Sequence, residues 1–212
     1  MNNDTNKPWA LVTGASAGLG AEYSRQLAAK GYRLVLVARR EDRLNELAGE
    51  LRDSFDAGSL IITADLSRPN ASEMIVQRLE AEGIGVEYLV NNAGYGVPGN
   101  FHVPDWQTHA DFIQVMMTAV CELTWRLLPG MQQRQRGFVV NMASVAGLVE
   151  PVAGHTLYGA SKSFLINFSK SLALENRYKG VKVTALCPGF TYSEFNDVSG
   201  TREMISNLPD YF

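Results

Sequence analysis

Residues 9–20 read Trp9-Ala10-Leu11-Val12-Thr13-Gly14-Ala15-Ser16-Ala17-Gly18-Leu19-Gly20, an apolar run passing into a glycine-rich loop. Trp9–Thr13 has the composition of a strand. The segment Leu19–Lys30 has helical period, with Tyr23, Leu27 and Ala28 on one face and Gly31 at the expected C-cap. Glycines in a strand–loop–helix setting let the backbone turn tightly and approach a pyrophosphate. The helix N-terminus adds unpaired N–H groups and positive dipole. The spacing is G-x-x-x-G-x-G rather than G-x-G-x-x-G, and no Gly-Lys-Ser/Thr follows, so this is not a P-loop. Gly14, Ser16, Gly18, Leu19 and Gly20 become candidate nucleotide contacts. The competing reading is a glycine-rich turn without a ligand.

The same alternation continues outward. Further strands are expected at Arg33–Ala38, Leu60–Ala64, Glu87–Asn91, Phe138–Met142 and Lys182–Cys187. Helical stretches are expected at Glu41–Ser54, Ala71–Glu82, Asp105–Gln133 and Tyr158–Tyr178. The run Leu34-Val35-Leu36-Val37-Ala38 is apolar throughout, which means burial on both faces and hence a parallel sheet covered by helices on each side. Regular β-α alternation with right-handed crossovers gives an α/β fold, a doubly wound parallel sheet. Ligands of such sheets bind beyond the carboxyl ends of the strands, at the switch point in strand order.

Composition agrees and excludes other classes. The 212 residues carry 19 basic and 22 acidic side chains, a net charge of −3, so there is no sequence-wide positive field for nucleic acid. The polar start lacks a signal-peptide layout, and no apolar run approaches the roughly 20 residues that span a bilayer. Two cysteines are too few for a disulfide framework or a structural zinc site, and His102, His109 and His155 lack metal-ligand spacing, which leaves them surface or loop roles. A cytoplasmic protein of one domain, residues 1–212, with no nucleic-acid, membrane or metal partner, is expected.

Chemistry concentrates at strand ends. The second strand closes on Arg39-Arg40, where an acidic residue would accept the ribose 2′-hydroxyl and repel a 2′-phosphate. Two guanidinium groups suit a phosphate through charge-assisted bonds, which favours NADP(H) over NAD(H); a solvated basic pair is the alternative. The fifth strand runs out at Ser144, followed by Tyr158 and, one helical turn on, Lys162. A phenol titrates near ~10, and a neighbouring ammonium lowers that value. With Ser144 holding an oxygen, the three suit proton transfer at an oxygen while a hydride moves at its carbon.

Taken together, Thr13-Gly14-x-x-x-Gly18-x-Gly20, Asn91-Asn92-Ala93-Gly94, Ser144, Tyr158-x-x-x-Lys162 and Pro188-Gly189 resemble the short-chain dehydrogenase/reductase family, in its compact branch, over nearly the whole chain. The resemblance implies a Rossmann-type domain and a catalytic set of Ser144, Tyr158 and Lys162, with Tyr158 as general acid/base and Lys162 also bonding the nicotinamide ribose. It implies that Asp65 and Leu66 contact adenine and that Asn92, Ala93 and Gly94 line the adenosine and ribose. Pro188 and Gly189 belong to the cofactor motif, and Thr191 and Ser193 match positions that bind the carboxamide and phosphates.

Two departures stand out. Met116 occupies the position where many members carry an Asn that holds a relay water, and Thr118 should face elsewhere. The chain also stops at Phe212, before the helix and seventh strand with which members usually continue, so either the sequence is trimmed or the sheet has six strands. The expected activity is interconversion of a carbonyl and an alcohol with NADP(H), the small-molecule substrate meeting apolar side chains such as Phe101, Leu148, Val149 and Val152. A homo-oligomer pairing through the last two long helices is expected. A nucleotide-binding sensor or scaffold that has lost turnover is the competing function.

Overall fold

The computed structural model describes residues 7–189. Six strands form one parallel sheet: β1 Trp9–Thr13, β2 Arg33–Ala38, β3 Ser59–Thr63, β4 Val86–Asn91, β5 Gly137–Met142 and β6 Val181–Leu186. Their order is β3-β2-β1-β4-β5-β6, so the connection reverses direction between β1 and β4 and opens the expected crevice there. β1 and β2 have the expected bounds, and six of the twelve strand ends are displaced by one residue, as backbone pairing rather than apolar composition sets those ends.

Helices α1 Gly18–Ala29 and α2 Glu41–Phe55 cover one face. Ala10, Val12, Leu34 and Leu36 bury against Leu27, Leu44, Leu47 and Leu51 there. Alternate strand residues Leu11, Val35, Val37, Leu89 and Val139 point the other way. They pack on Ile75 and Leu79 of α3 Ala71–Ala81 and Leu123 of α5 Ala119–Gln133. Helix α6 Thr156–Asn176 packs through Leu165 and Ile166 on Val120 and Ala143. Gly31 follows α1 with φ +86°, the left-handed closure anticipated for it.

The segment expected as one helix, Asp105–Gln133, is not uniform. It comprises α4 Trp106–Ile113, a π-helical turn Gln114–Thr118, and α5. Asp105 caps α4 by accepting the Thr108 N–H at 2.7 Å. The π turn contains Met116, buried with its sulfur packed on Gly94 at the end of β4, and Thr118 faces outward as expected. Among the described residues no helix is long and apolar enough to cross a membrane.

Candidate active site

A cavity of about 1310 Å³ runs along the carboxyl ends of the strands. One end is the glycine loop. Gly14 has φ +65°, and a Cβ on it would lie 2.8 Å from the Ala93 Cα. A Cβ on Gly20 would lie 2.2 Å from the Gly14 carbonyl oxygen, so the turn closes only on glycine. Helix α1 begins with no side-chain cap, leaving its first N–H groups directed at the loop's ligand side. Ser16, Gly18 and Leu19 line this end.

The two crevice walls are latched together. The Thr13 hydroxyl accepts the backbone N–H of Asn92 at 3.0 Å and of Ala93 at 3.1 Å. The Asn92 amide donates to the carbonyls of Thr13 at 2.9 Å and Gly14 at 3.2 Å. Asn92 therefore organises the loop backbone, a contact that the family resemblance does not spell out. Ala93 and Gly94 continue along the cavity wall.

Arg39 and Arg40, both exposed, border the cavity beside the glycine loop, and Arg40 donates to the Ser16 hydroxyl at 3.2 Å. Asp65 and Leu66 lie next to them. Burial acts to raise the Asp65 pKa, but hydrogen bonds from Ser67 and the charges of Arg39 and Arg68 outweigh it, so the carboxyl is held below its ordinary value. Asp111 and Val115, four apart on the α4 side, also face the cavity. Their i, i+4 spacing was the available signal, hidden because α4 ends at Ile113 and Val115 lies in the π turn that follows. Tyr95, edge-on to Phe112, has its phenol pushed up to about 12, mainly by burial.

At the other end, Ser144, Tyr158 and Lys162 line the same cavity. Ser144 leaves β5 and starts the turn Val145–Gly147, its hydroxyl accepting the Ala146 N–H at 3.1 Å. Tyr158 and Lys162 project from the first turns of α6, and the Lys162 Nζ lies 5.4 Å from the Tyr158 ring centre. Lys162 is buried and donates to the Met142 carbonyl at 2.6 Å. Desolvation pulls its pKa down to about 8.

The expectation that Lys162 draws the phenol down is not met in this arrangement. Burial raises the Tyr158 pKa, and the opposing pull is a hydrogen bond from Ser144. Lys162 gives its hydrogen bond to the Met142 carbonyl rather than to the phenol. Met116 is buried behind Gly94 and does not line the cavity. His155 lines it and His102 is exposed, whereas His109 is buried, against the surface or loop role expected of it. Pro188 and Gly189 border the cavity; Thr191 and Ser193 lie outside the described residues.

A family model described as short chain dehydrogenase matches residues 8–203. The chain belongs to the short-chain dehydrogenase family. A member from Sphingobium yanoikuyae, solved in complex with NADPH, is 35% identical with a TM-score of 0.88, covering 96% of this chain and 78% of that one. The bulky-bulky ketone specific alcohol dehydrogenase from Comamonas testosteroni is 35% identical with a TM-score of 0.83, covering 97% and 77%. Among curated relatives, the very-long-chain 3-oxoacyl-CoA reductase of Anas platyrhynchos is 36% identical over 197 residues. That match covers 90% of this chain and 62% of the duck protein, so the chain spans under two thirds of that relative's length.

Proposed function

We propose that this short-chain dehydrogenase is an NADP(H)-dependent oxidoreductase that interconverts a ketone or aldehyde with its alcohol. The observation that carries the reading is one cavity with the glycine loop and Arg39-Arg40 at one end and Ser144, Tyr158 and Lys162 at the other. The residues fit the cofactor: positions 14 and 20 leave no room for a side chain, α1 offers uncapped N–H groups, and two guanidinium groups border the place where a 2′-phosphate would lie. The Sphingobium neighbour's complex with NADPH supports the same choice. When bound, the nicotinamide would exchange a hydride with the carbonyl carbon.

The protein's part is positioning and proton transfer. In reduction, the Tyr158 phenol donates its proton to the carbonyl oxygen, and the Ser144 hydroxyl holds that oxygen by a hydrogen bond. The phenolate left behind is stabilised by the hydrogen bond from Ser144, and Lys162 anchors the nicotinamide ribose. Asp65 and Leu66 would contact the adenine, Asn92, Ala93 and Gly94 would line the adenosine and ribose side, Pro188 and Gly189 would belong to the cofactor motif, and Thr191 and Ser193 would bind the carboxamide and the phosphates. The reading takes residues 1–212 as one domain of a cytoplasmic homo-oligomer. Exposed Trp125 on α5 and Leu174 on α6 support that pairing.

A sensor without turnover is the second reading, favoured by Met116, which offers no side chain to hold a relay water. Titration with NADPH and NADH, followed by nicotinamide fluorescence, is the first test. Arg39→Ala or Arg40→Ala should weaken NADPH about tenfold or more and leave NADH unchanged, in line with loss of a charge-assisted bond. A carbonyl screen follows, in which Tyr158→Phe should lower kcat by about 100-fold or more with NADPH affinity retained. Tight NADPH binding with no turnover of any carbonyl would favour the sensor; turnover unaffected by Tyr158→Phe would refute the proton-donor role.

A further inference from the structure

His109 is buried on α4, yet none of the chemistry above uses it. The segment between β4 and α4 folds back over it. Its Nε2 lies 2.7 Å from the Phe101 carbonyl oxygen, so that nitrogen bears the proton and donates. Nδ1 is left buried with no hydrogen-bond partner among the described residues. The Phe101 ring stacks on the imidazole with centres 4.7 Å apart and planes at 29°, and Trp106 flanks it at 6.4 Å. One imidazole thus anchors both the carbonyl and the ring of Phe101.

The anchored loop reaches the cavity at second hand. Gly99, two residues before Phe101, donates its N–H to the Gly154 carbonyl at 2.9 Å. Gly154 belongs to the segment that leads into α6, and Val149, Pro151, Val152 and His155 of that segment form cavity wall. The apolar members of that wall are open, Val149 being 63% and Val152 67% exposed, with Phe101 on the facing loop at 47%; Glu150 of the same segment also lines the cavity.

We propose that His109 is a specificity-determining positioning residue: by fixing Phe101 it holds Gly99 against Gly154, and so sets the Val149–Val152 wall that receives the extended apolar body of a carbonyl substrate. The proposal rests on the carbonyl reduction above and names its substrate class. A small ketone needs only Ser144 and Tyr158 and does not depend on that wall.

Two substitutions separate the contributions. His109→Phe keeps a ring to stack on Phe101 but loses the donor, and His109→Gln keeps a donor near the Nε2 position. Steady-state kinetics with NADPH would compare butan-2-one with decan-2-one, and calorimetry would follow decan-2-one binding to the NADP+-saturated protein. His109→Phe should raise the decan-2-one KM about tenfold, the order of one hydrogen bond lost. Its kcat, its butan-2-one KM and its NADPH affinity should stay within about twofold. His109→Gln should restore the decan-2-one KM, which a merely structural role would not require. An equal change for both ketones, or none, overturns the proposal.

If the wild type turns over neither ketone, the reduction itself fails. Decan-2-one binding then decides about His109, and equal binding by wild type and His109→Phe overturns it. Should His109→Phe fail to fold, Phe101→Gly removes the stacked ring from an exposed position and takes its place: the same selective loss is expected, and an unchanged ratio between the ketones overturns the proposal.

Discussion

Replacing Lys162 by Met tests the electrostatics of the site in the protein free of nucleotide. Lys162 is 4% exposed, and among the described residues its ammonium donates to the Met142 carbonyl. Desolvation lowers its pKa from 10.5 to about 8. Above about pH 8 the folded chain has released a proton that the unfolded chain keeps until its own, higher pKa, so stability rises with pH across this window. Below it, the cost of burying the ammonium is present in full. At roughly 1.4 kcal/mol per decade, the gain between about pH 7 and pH 9.5 integrates to about 2 kcal/mol. Lys162→Met keeps the stem and removes the titration. Losing the bond to Met142 costs the variant a similar amount at every pH, so only the slopes are compared. Urea unfolding of both proteins across that range should show the wild type gaining about 2 kcal/mol relative to the variant. Parallel curves would mean that the ammonium is solvated in the folded chain, and the account of a weakened lysine beside Tyr158 would fall.

Two further substitutions probe the frame. Gly20→Ala places a Cβ 2.2 Å from the Gly14 carbonyl, a backbone atom that cannot swing aside, so NADPH affinity should fall at least about tenfold with about 1–3 kcal/mol of stability lost; a fluorescence titration giving the wild-type affinity would show that the loop does not grip the cofactor. Phe112→Ala empties a fully buried site on α4 against Tyr95 and should cost about 3–5 kcal/mol in urea unfolding, with under 1 kcal/mol meaning that the cavity collapses and that Tyr95 shifts into it.

Much of this protein was legible because its signals are local. The glycine loop announces itself, since Gly14 turns with φ +65° and a side chain on Gly20 would strike the Gly14 carbonyl, both constraints met within the loop. Tyr158 and Lys162 needed only the helical period. Strand existence followed from apolar runs, while strand ends shifted by a residue because pairing with neighbours sets them. The His109 expectation failed for a different reason. A lone His in a polar stretch reads as surface, and only the return of Phe101 over the ring buries it.

By itself, then, the chain's sequence determined the α/β alternation, the nucleotide loop, the basic pair at the end of β2 and the Ser–Tyr–Lys constellation, all encoded in spacing along the chain. Tertiary structure alone decided the rest. The π turn at Gln114–Thr118 puts Met116 under Gly94, a contact between residues 22 apart in sequence. The latch between Thr13 and Asn92 spans 79 residues. The pKa of Lys162 depends on what surrounds it once α6 docks on β5. Periodicity reports which face of an element is apolar; it carries no information on which other element will cover that face, and these three features depend on that packing.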